Sequence, residues 1–354
     1  MSSGGTAVPG TAPVREAHRF DVHALEAYLR DRLPGFAGPL EVRQFLGGQS
    51  NPTYHLHARS GDYVLRRKPP GKLLPSAHAV EREFRVIAAL HGTPVPVPEA
   101  LVLCEDPAIA GTPFYVMRYV AGRVLADLSL PGLAPAERRA LWDDAVSVLA
   151  RLHQVDWRAL GLADFGRTGN YYVRQLHRWV GQYRASETET IPAMERLIEW
   201  LPAHVPEDDT TTVVHGDFRI GNSVVHPTEP RILAVLDWEL STLGHPLADL
   251  GYTCMPYRLA AETMDGFQGA DLAALGMPTE SEYLAAYCRR TGRASIVDWE
   301  FYVAFSMFRL SAIAQGIMGR VIAGTASDPR ARDRGARARP LADAGWREVE
   351  RRGA

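Results

Sequence analysis

Cysteine is scarce: Cys104, Cys254 and Cys288 are the only 3 in 354 residues, and no two form a C-x-x-C pair. That pattern suggests neither a zinc site nor a disulfide framework and fits a reducing, cytoplasmic setting. An excess of either charge is also missing, with 39 Lys+Arg against 41 Asp+Glu and a formal net charge of −2. Neither nucleic acid nor an anionic membrane is therefore expected as the main partner. No segment reaches membrane-spanning length without a charge, no basic-then-apolar leader opens the chain, and no internal repeat is visible. Residues 1–17, rich in Ser, Gly, Ala and Pro, are expected to be a disordered lead-in. What is left is an ordinary globular composition, 46% hydrophobic and 23% charged. It is long enough for two lobes or two domains.

Against those absences one stretch stands out. Val213-Val-His-Gly-Asp-Phe-Arg-Ile-Gly-Asn222 runs from an apolar strand into a polar loop, and the next apolar run, Arg231-Ile-Leu-Ala-Val-Leu-Asp237, ends on an aspartate. Asp217, Asn222 and Asp237 bring three oxygen-bearing side chains to the mouth of one hairpin-like unit. Such donors suit a hard cation such as Mg²⁺, which keeps waters and phosphates in its shell. The plainer alternative is a loop in which Asp and Asn cap turns. The order H-x-D-x-x-x-x-N, then Asp after the next strand, is the one that protein kinases use for phosphoryl transfer. Here Gly216 replaces the usual Arg, and Trp238-Glu239 follows Asp237 in place of Phe-Gly.

His215-Gly216-Asp217, Asn222 and Leu236-Asp237 together resemble the aminoglycoside phosphotransferase family, kinase-like enzymes that phosphorylate small molecules. The resemblance implies an α+β, protein-kinase-like fold with a β-rich N-lobe over residues 18–118, a mostly helical C-lobe over 119–340 and a tail over 341–354. It implies ATP and Mg²⁺ as cofactors. Asp217 would be the catalytic residue that aligns the acceptor hydroxyl, with Asn222 and Asp237 as metal ligands.

Upstream elements recur in the order that this resemblance requires. Two strands around Gly47-Gly48-Gln49-Ser50-Asn51 read as a hairpin whose backbone N–H groups approach phosphates, although most Gly-Gly turns are hairpins and nothing more. The strand Tyr63-Val64-Leu65-Arg66-Arg67 follows, with Arg66 where the family usually has Lys. Arginine can still bridge phosphate and carboxylate with its planar fork. Glu83 is the expected partner of Arg66, on a helix read over Ala77–Leu90, with Glu81 the competing candidate. By resemblance Val64 and the segment holding Met117, Tyr119 and Val120 line the nucleotide.

The acceptor is less defined. Tyr172, Arg174 and Trp179 precede the catalytic loop, where the family inserts acceptor-binding helices, although aromatics at helical spacing are more often packing. Trp238 and Glu239 are further substrate candidates. Aromatics and arginines around 171–184, with acids only at Glu187 and Glu189, favour an acidic or partly apolar hydroxylated acceptor over an aminoglycoside. The run Tyr63–Gly71 with His78 and Glu83 also resembles the kinase-like domains fused to acyl-CoA dehydrogenases, which implies a hydroxyacyl thioester. No long activation segment ending Ala-Pro-Glu follows Asp237, so a polypeptide acceptor is not expected. A nucleotide-binding pseudokinase with a regulatory role is the alternative. Asp249 is expected to hold the catalytic loop, His153 to be structural, and His245 to be a turn residue. Arg309 and Gln315 are polar interruptions in an otherwise apolar helix. The tail from Asp328, with 8 arginines and 5 acids, reads as a solvated helix or a partly disordered end.

Overall fold

A computed structural model describes residues 8–46, 51–71, 79–264, 266–326 and 329–352. The chain divides into two compact units, residues 1–121 with 233–239, and residues 122–232 with 240–354. The sequence-based boundary at 118/119 falls three residues short of that division, and residues 233–239, which include Asp237, belong to the first unit.

The first unit is built on an antiparallel six-stranded sheet: β1 (Thr11–Ala12), β2 (Glu41–Phe45), β3 (Thr53–Ala58), β4 (Gly61–Arg67), β5 (Ala100–Cys104) and β6 (Phe114–Arg118), in the spatial order 1-2-3-4-6-5. Tyr54, Leu56, Leu65, Phe114 and Val116 from the sheet pack with Leu25 and Leu29 of the helix Val22–Arg32. Each such side chain contributes roughly 1.5–3 kcal/mol by leaving water. That helix starts where the sequence places it, because the Asp21 carboxylate accepts the His23 and Ala24 amides at 2.9 and 3.0 Å. The lead-in expected to be disordered is corrected from residue 11 onward. Thr11 and Ala12 pair with Phe45 and Gln44, and the Gln44 side chain accepts the Arg15 amide at 3.1 Å, so the edge of β2 supplies partners that composition cannot reveal.

The second unit is mostly helical and surrounds Trp299–Ile322. Among the described residues this is the one helix long and apolar enough to cross a bilayer, and 72% of its most apolar window is buried inside the fold. Around it lie Tyr171–Ala185, Pro192–Ala203, Leu247–Cys254, Ala331–Gly335 and Ala338–Arg352, while Pro135–His153 packs on Glu280–Thr291. The tail's helical reading holds but its full solvation is corrected: Ala338–Arg352 buries Leu341, Ala342, Ala344, Gly345 and Val349. A Cβ on Gly345 would stand 3.2 Å from Met307 and from Leu197, so small residues let this helix approach closely while its arginines face outward. Two short antiparallel strands, β7 (Thr212–Val214) and β10 (Thr242–Gly244), bracket the loop of interest. Between them run β8 (Ser223–Val225) and β9 (Ile232–Val235).

Candidate active site

The loop His215–Phe218 is held at three points by two helices. Asp249, fully buried on Leu247–Cys254, accepts the His215 amide at 2.6 Å and the Gly216 amide at 2.7 Å. Thr253, one turn further along, donates its hydroxyl to the Phe218 carbonyl at 2.9 Å. Arg309 from Trp299–Ile322 donates to the Gly216 carbonyl at 2.8 Å. Burial opposes the Asp249 charge, but His153 at 3.3 Å and the backbone amides hold its carboxyl below the usual range. His153 in turn lies 2.8 Å from the Tyr287 hydroxyl, in a purely structural chain of contacts.

Gly216 explains the departure from His-Arg-Asp. Its φ of +85° is left-handed, and a Cβ there would come within 2.7 Å of the Leu240 carbonyl oxygen. Only glycine satisfies both conditions.

This geometry presents Asp217. Its Oδ2 accepts the Asn222 side-chain amide at 2.8 Å, while Oδ1 is buried and makes no hydrogen bond of normal geometry among the described residues. Arg219 Nε is 3.8 Å from that oxygen. One carboxylate oxygen is thus fixed and the other is available to a hydroxyl. Tyr252 stands beside this carboxylate; burial and then the Asp217 charge push its phenol well above its ordinary value. Asn222 spends its amide nitrogen on Asp217, at the side chain and at the carbonyl, which orients its own carbonyl oxygen for another partner.

The first unit carries a second charged cluster. Arg66 places Nε 3.0 Å from Glu83 and Nη2 2.6 Å from Asp237, with Glu239 3.5 Å away. Glu83 is fully buried and also accepts Asn51 at 2.9 Å and the Tyr115 hydroxyl at 3.2 Å. Burial drives its carboxyl upward, against the pull of Arg66. Glu81 pairs with Lys68 instead, at 2.9 Å. Asp237 has a left-handed φ of +66°, an uncommon conformation for a non-glycine residue. The carboxylate of Asp237 and the carbonyl oxygen of Asn222 are hard donors of the kind Mg²⁺ takes. Among the described residues no group of three or more His, Cys, Asp or Glu side chains could hold a metal ion.

The other sequence candidates fall into place unevenly. Val64 and Met117 face each other across β4 and β6, both 7% exposed. Tyr119 packs edge-on against His55, Val120 is half-buried, and Gly47, Gly48, Gln49 and Ser50 lie outside the described residues, as does His78. Tyr172 is corrected as a substrate contact. It is 2% exposed amid Phe301, Tyr302 and Phe305, 3.4 Å from His245. Trp238 is corrected likewise, being 1% exposed with its indole N–H on the Val235 carbonyl. Arg174 is half-buried and donates to the Arg167 and Thr168 carbonyls. Trp179 is buried too, 7% exposed with its indole N–H on the Gln175 side chain at 3.1 Å, and it packs on one of the loop's supports, with Arg309 5.5 Å from its ring centre. His245 is a buried hub, not a simple turn residue: its Nδ1 accepts the Leu247 amide and its Nε2 lies 3.2 Å from Asp208. Sequence reasoning missed Tyr252, although its place three residues after Asp249 puts both on one helical face.

Comparison with known proteins agrees with this geometry. The profile described as "Phosphotransferase enzyme family" matches residues 41–301. Mouse acyl-CoA dehydrogenase family member 10 is 49% identical over 342 residues, which are 96% of this chain and 32% of that protein. Chicken acyl-CoA dehydrogenase family member 11 is 46% identical over 350 residues, 95% of this chain and 44% of the relative. The chain therefore spans between a third and a half of the length of these relatives. Among solved structures, one from Ralstonia eutropha, described as a candidate aminoglycoside phosphotransferase, is 53% identical with a TM-score of 0.87, covering 94% of this chain and 99% of that one. A thermostable mutant of aminoglycoside phosphotransferase APH(4)-Ia, in complex with ADP and hygromycin B, shares the fold at 16% identity and a TM-score of 0.61, covering 92% of this chain and 98% of that one.

Proposed function

The chain belongs to the phosphotransferase enzyme family, and from that premise we propose that it transfers the γ-phosphoryl group of ATP to a hydroxyl of a small, non-cationic molecule. The observation that carries this reading is Asp217, with one carboxylate oxygen fixed by Asn222 and the other buried, without a hydrogen bond of normal geometry, beside the Tyr252 phenol. An acceptor hydroxyl donating to that oxygen is aligned for attack and gives up its proton late in the transfer. The backbone clamp by Asp249, Thr253 and Arg309 keeps the oxygen in position, and catalysis of this type is mainly positioning and electrostatics. Arg66, braced by Glu83, offers its planar fork to phosphate oxygens. Asn222 and Asp237 would hold Mg²⁺, which when bound supplies positive charge to the phosphate oxygens. ADP bound to a protein of the same fold supports a nucleotide as donor.

For the acceptor we take a hydroxyacyl thioester as the leading class. The similarity to acyl-CoA dehydrogenase family members supports it. The test is ADP release with MgATP across aminoglycosides, amino alcohols, sugars and hydroxyacyl thioesters, with Asp217→Asn as control. Acceptor-dependent release that the variant abolishes supports the reading. Nucleotide binding without release on any acceptor supports a pseudokinase.

A further inference from the structure

Arg309 interrupts an apolar helix, and its side chain is only 7% exposed. Withdrawing a guanidinium from water is costly unless its charge and its N–H donors find partners. Elsewhere in this chain they do. Arg66 has Glu83 and Asp237, Arg258 has Glu280 and Glu348, and Arg67 has the Tyr54 hydroxyl and the His18 and Ala110 carbonyls. Arg309 pairs with no carboxylate among the described residues, and its single hydrogen bond runs from Nη2 to the Gly216 carbonyl.

The rest of its surroundings hold a cation without accepting its protons. The guanidinium carbon stands 5.5 Å from the ring centre of Trp179 and 6.0 Å from that of Tyr252. Aromatic faces stabilise such a charge but offer no in-plane acceptor to a fork of five N–H donors. None of its remaining N–H groups is among the fully buried side-chain atoms without a partner, so they keep access to solvent and stand open to an incoming acceptor. Its location says which ligand brings one. Gly216, whose carbonyl Arg309 grips, immediately precedes Asp217, and Tyr252 lies in the field of both Asp217 and Arg309.

We propose that Arg309 determines acceptor specificity: its free N–H donors receive a carboxyl-level oxygen, a carboxylate or a thioester carbonyl, on the same molecule whose hydroxyl meets Asp217. This rests on the phosphotransferase reading and names the residue that selects within it. Trp179 and Tyr252 flank the guanidinium, and their ring faces stabilise its charge where an incoming oxygen would meet it. An ammonium group in the same position meets a like charge and is turned away.

The test uses the full chain with MgATP and short- and medium-chain hydroxyalkanoates bearing the hydroxyl at successive carbons. Their pantetheine thioesters and the matched diols, with the carboxyl carbon reduced, complete the panel. The carboxyl-level acceptors should exceed the diols in kcat/KM by roughly 10- to 100-fold, the worth of one charged hydrogen bond. Arg309→Gln should bring that ratio close to one, chiefly through KM, and Arg309→Lys should restore part of it. Because the ratio is taken within each variant, any general damage from loosening Gly216 cancels. Preference for the free acid identifies the partner as a carboxylate, and preference for the thioester identifies a carbonyl. Diols phosphorylated as well as the acids, or an Arg309→Gln variant that lowers all acceptors alike, would overturn the proposal while leaving the phosphotransferase reading intact. Calorimetry with the unhydroxylated alkanoates and thioesters provides a readout without turnover. Binding that Arg309→Gln abolishes, with no acceptor phosphorylated, would uphold the site and refute the reaction, and neither binding nor transfer would sink both.

Discussion

Replacing Asp249 by Asn tests whether the catalytic loop is held as described. The carboxylate is fully buried and accepts two backbone amides, from His215 at 2.6 Å and Gly216 at 2.7 Å. Asparagine has nearly the same shape, so it opens no cavity. Its carbonyl oxygen can keep one amide, but its NH₂ then faces the other, donor against donor. The lost charge-assisted bond is worth about 1.5–3 kcal/mol, and the orphaned buried amide adds about 1–3 kcal/mol. The sum centres near 4 kcal/mol, a large share of the stability of an ordinary domain. Equilibrium urea unfolding reads this directly. Steady-state kinetics should show kcat reduced by about 100-fold or more, because a displacement of Asp217 by about 1 Å is enough for that. KM for ATP should change much less, since Arg66 and Glu83 belong to the other unit. A variant destabilised by less than about 1 kcal/mol with unchanged kcat would refute the reasoning.

Gly216→Ala should lose turnover while keeping its circular dichroism spectrum. A left-handed alanine costs about 1–2 kcal/mol, and its Cβ would meet the Leu240 carbonyl at 2.7 Å, so the loop must move. Wild-type kinetics in this variant would contradict the conformation assigned to Gly216. Stability should also fall in mild acid because of His245. Burial, only partly offset by Asp208, lowers its folded pKa to about 4 from an ordinary 6.5. The neutral ring is therefore favoured in the fold, so this contribution is complete above pH 6.5 and is lost as pH falls towards 4. Asp208 stays ionised throughout that window. Burial opposes its charge, but bonds from Thr210 and Arg293 hold its carboxyl well below the usual range. Melting temperatures at pH 7 and 4.5 should differ less in His245→Asn than in wild type, and an equal difference would remove His245 as the cause.

The parts of this protein legible in its sequence are those where chemistry and spacing coincide locally. His215, Asp217 and Asn222 share one loop, so their spacing suffices to put Asn222 on the Asp217 carboxylate. The Arg66–Glu83 pair spans a longer gap and was legible because the order of elements resembles a known family. Burial was harder to read. Tyr172 looked available as an aromatic near the catalytic loop, but its helix turns it into the packing around Phe301 and Phe305. The tail was hidden by its arginines, since its buried face is made of small residues with weak hydropathy signal. Arg309 shows the same limit in a functional residue. It registers in sequence as a charge interrupting an apolar run, while its partner carbonyl lies 93 residues away. Only tertiary packing could join the two.

The central claim is tested most directly by following the acceptor. After incubation with MgATP and each hydroxylated candidate, the acceptor is recovered and its mass measured, with Asp217→Asn run in parallel. The account predicts that at least one non-cationic acceptor gains a single phosphoryl group on its hydroxyl with wild type and none with the variant. Equal phosphorylation by Asp217→Asn, or transfer confined to cationic aminosugars, would contradict it.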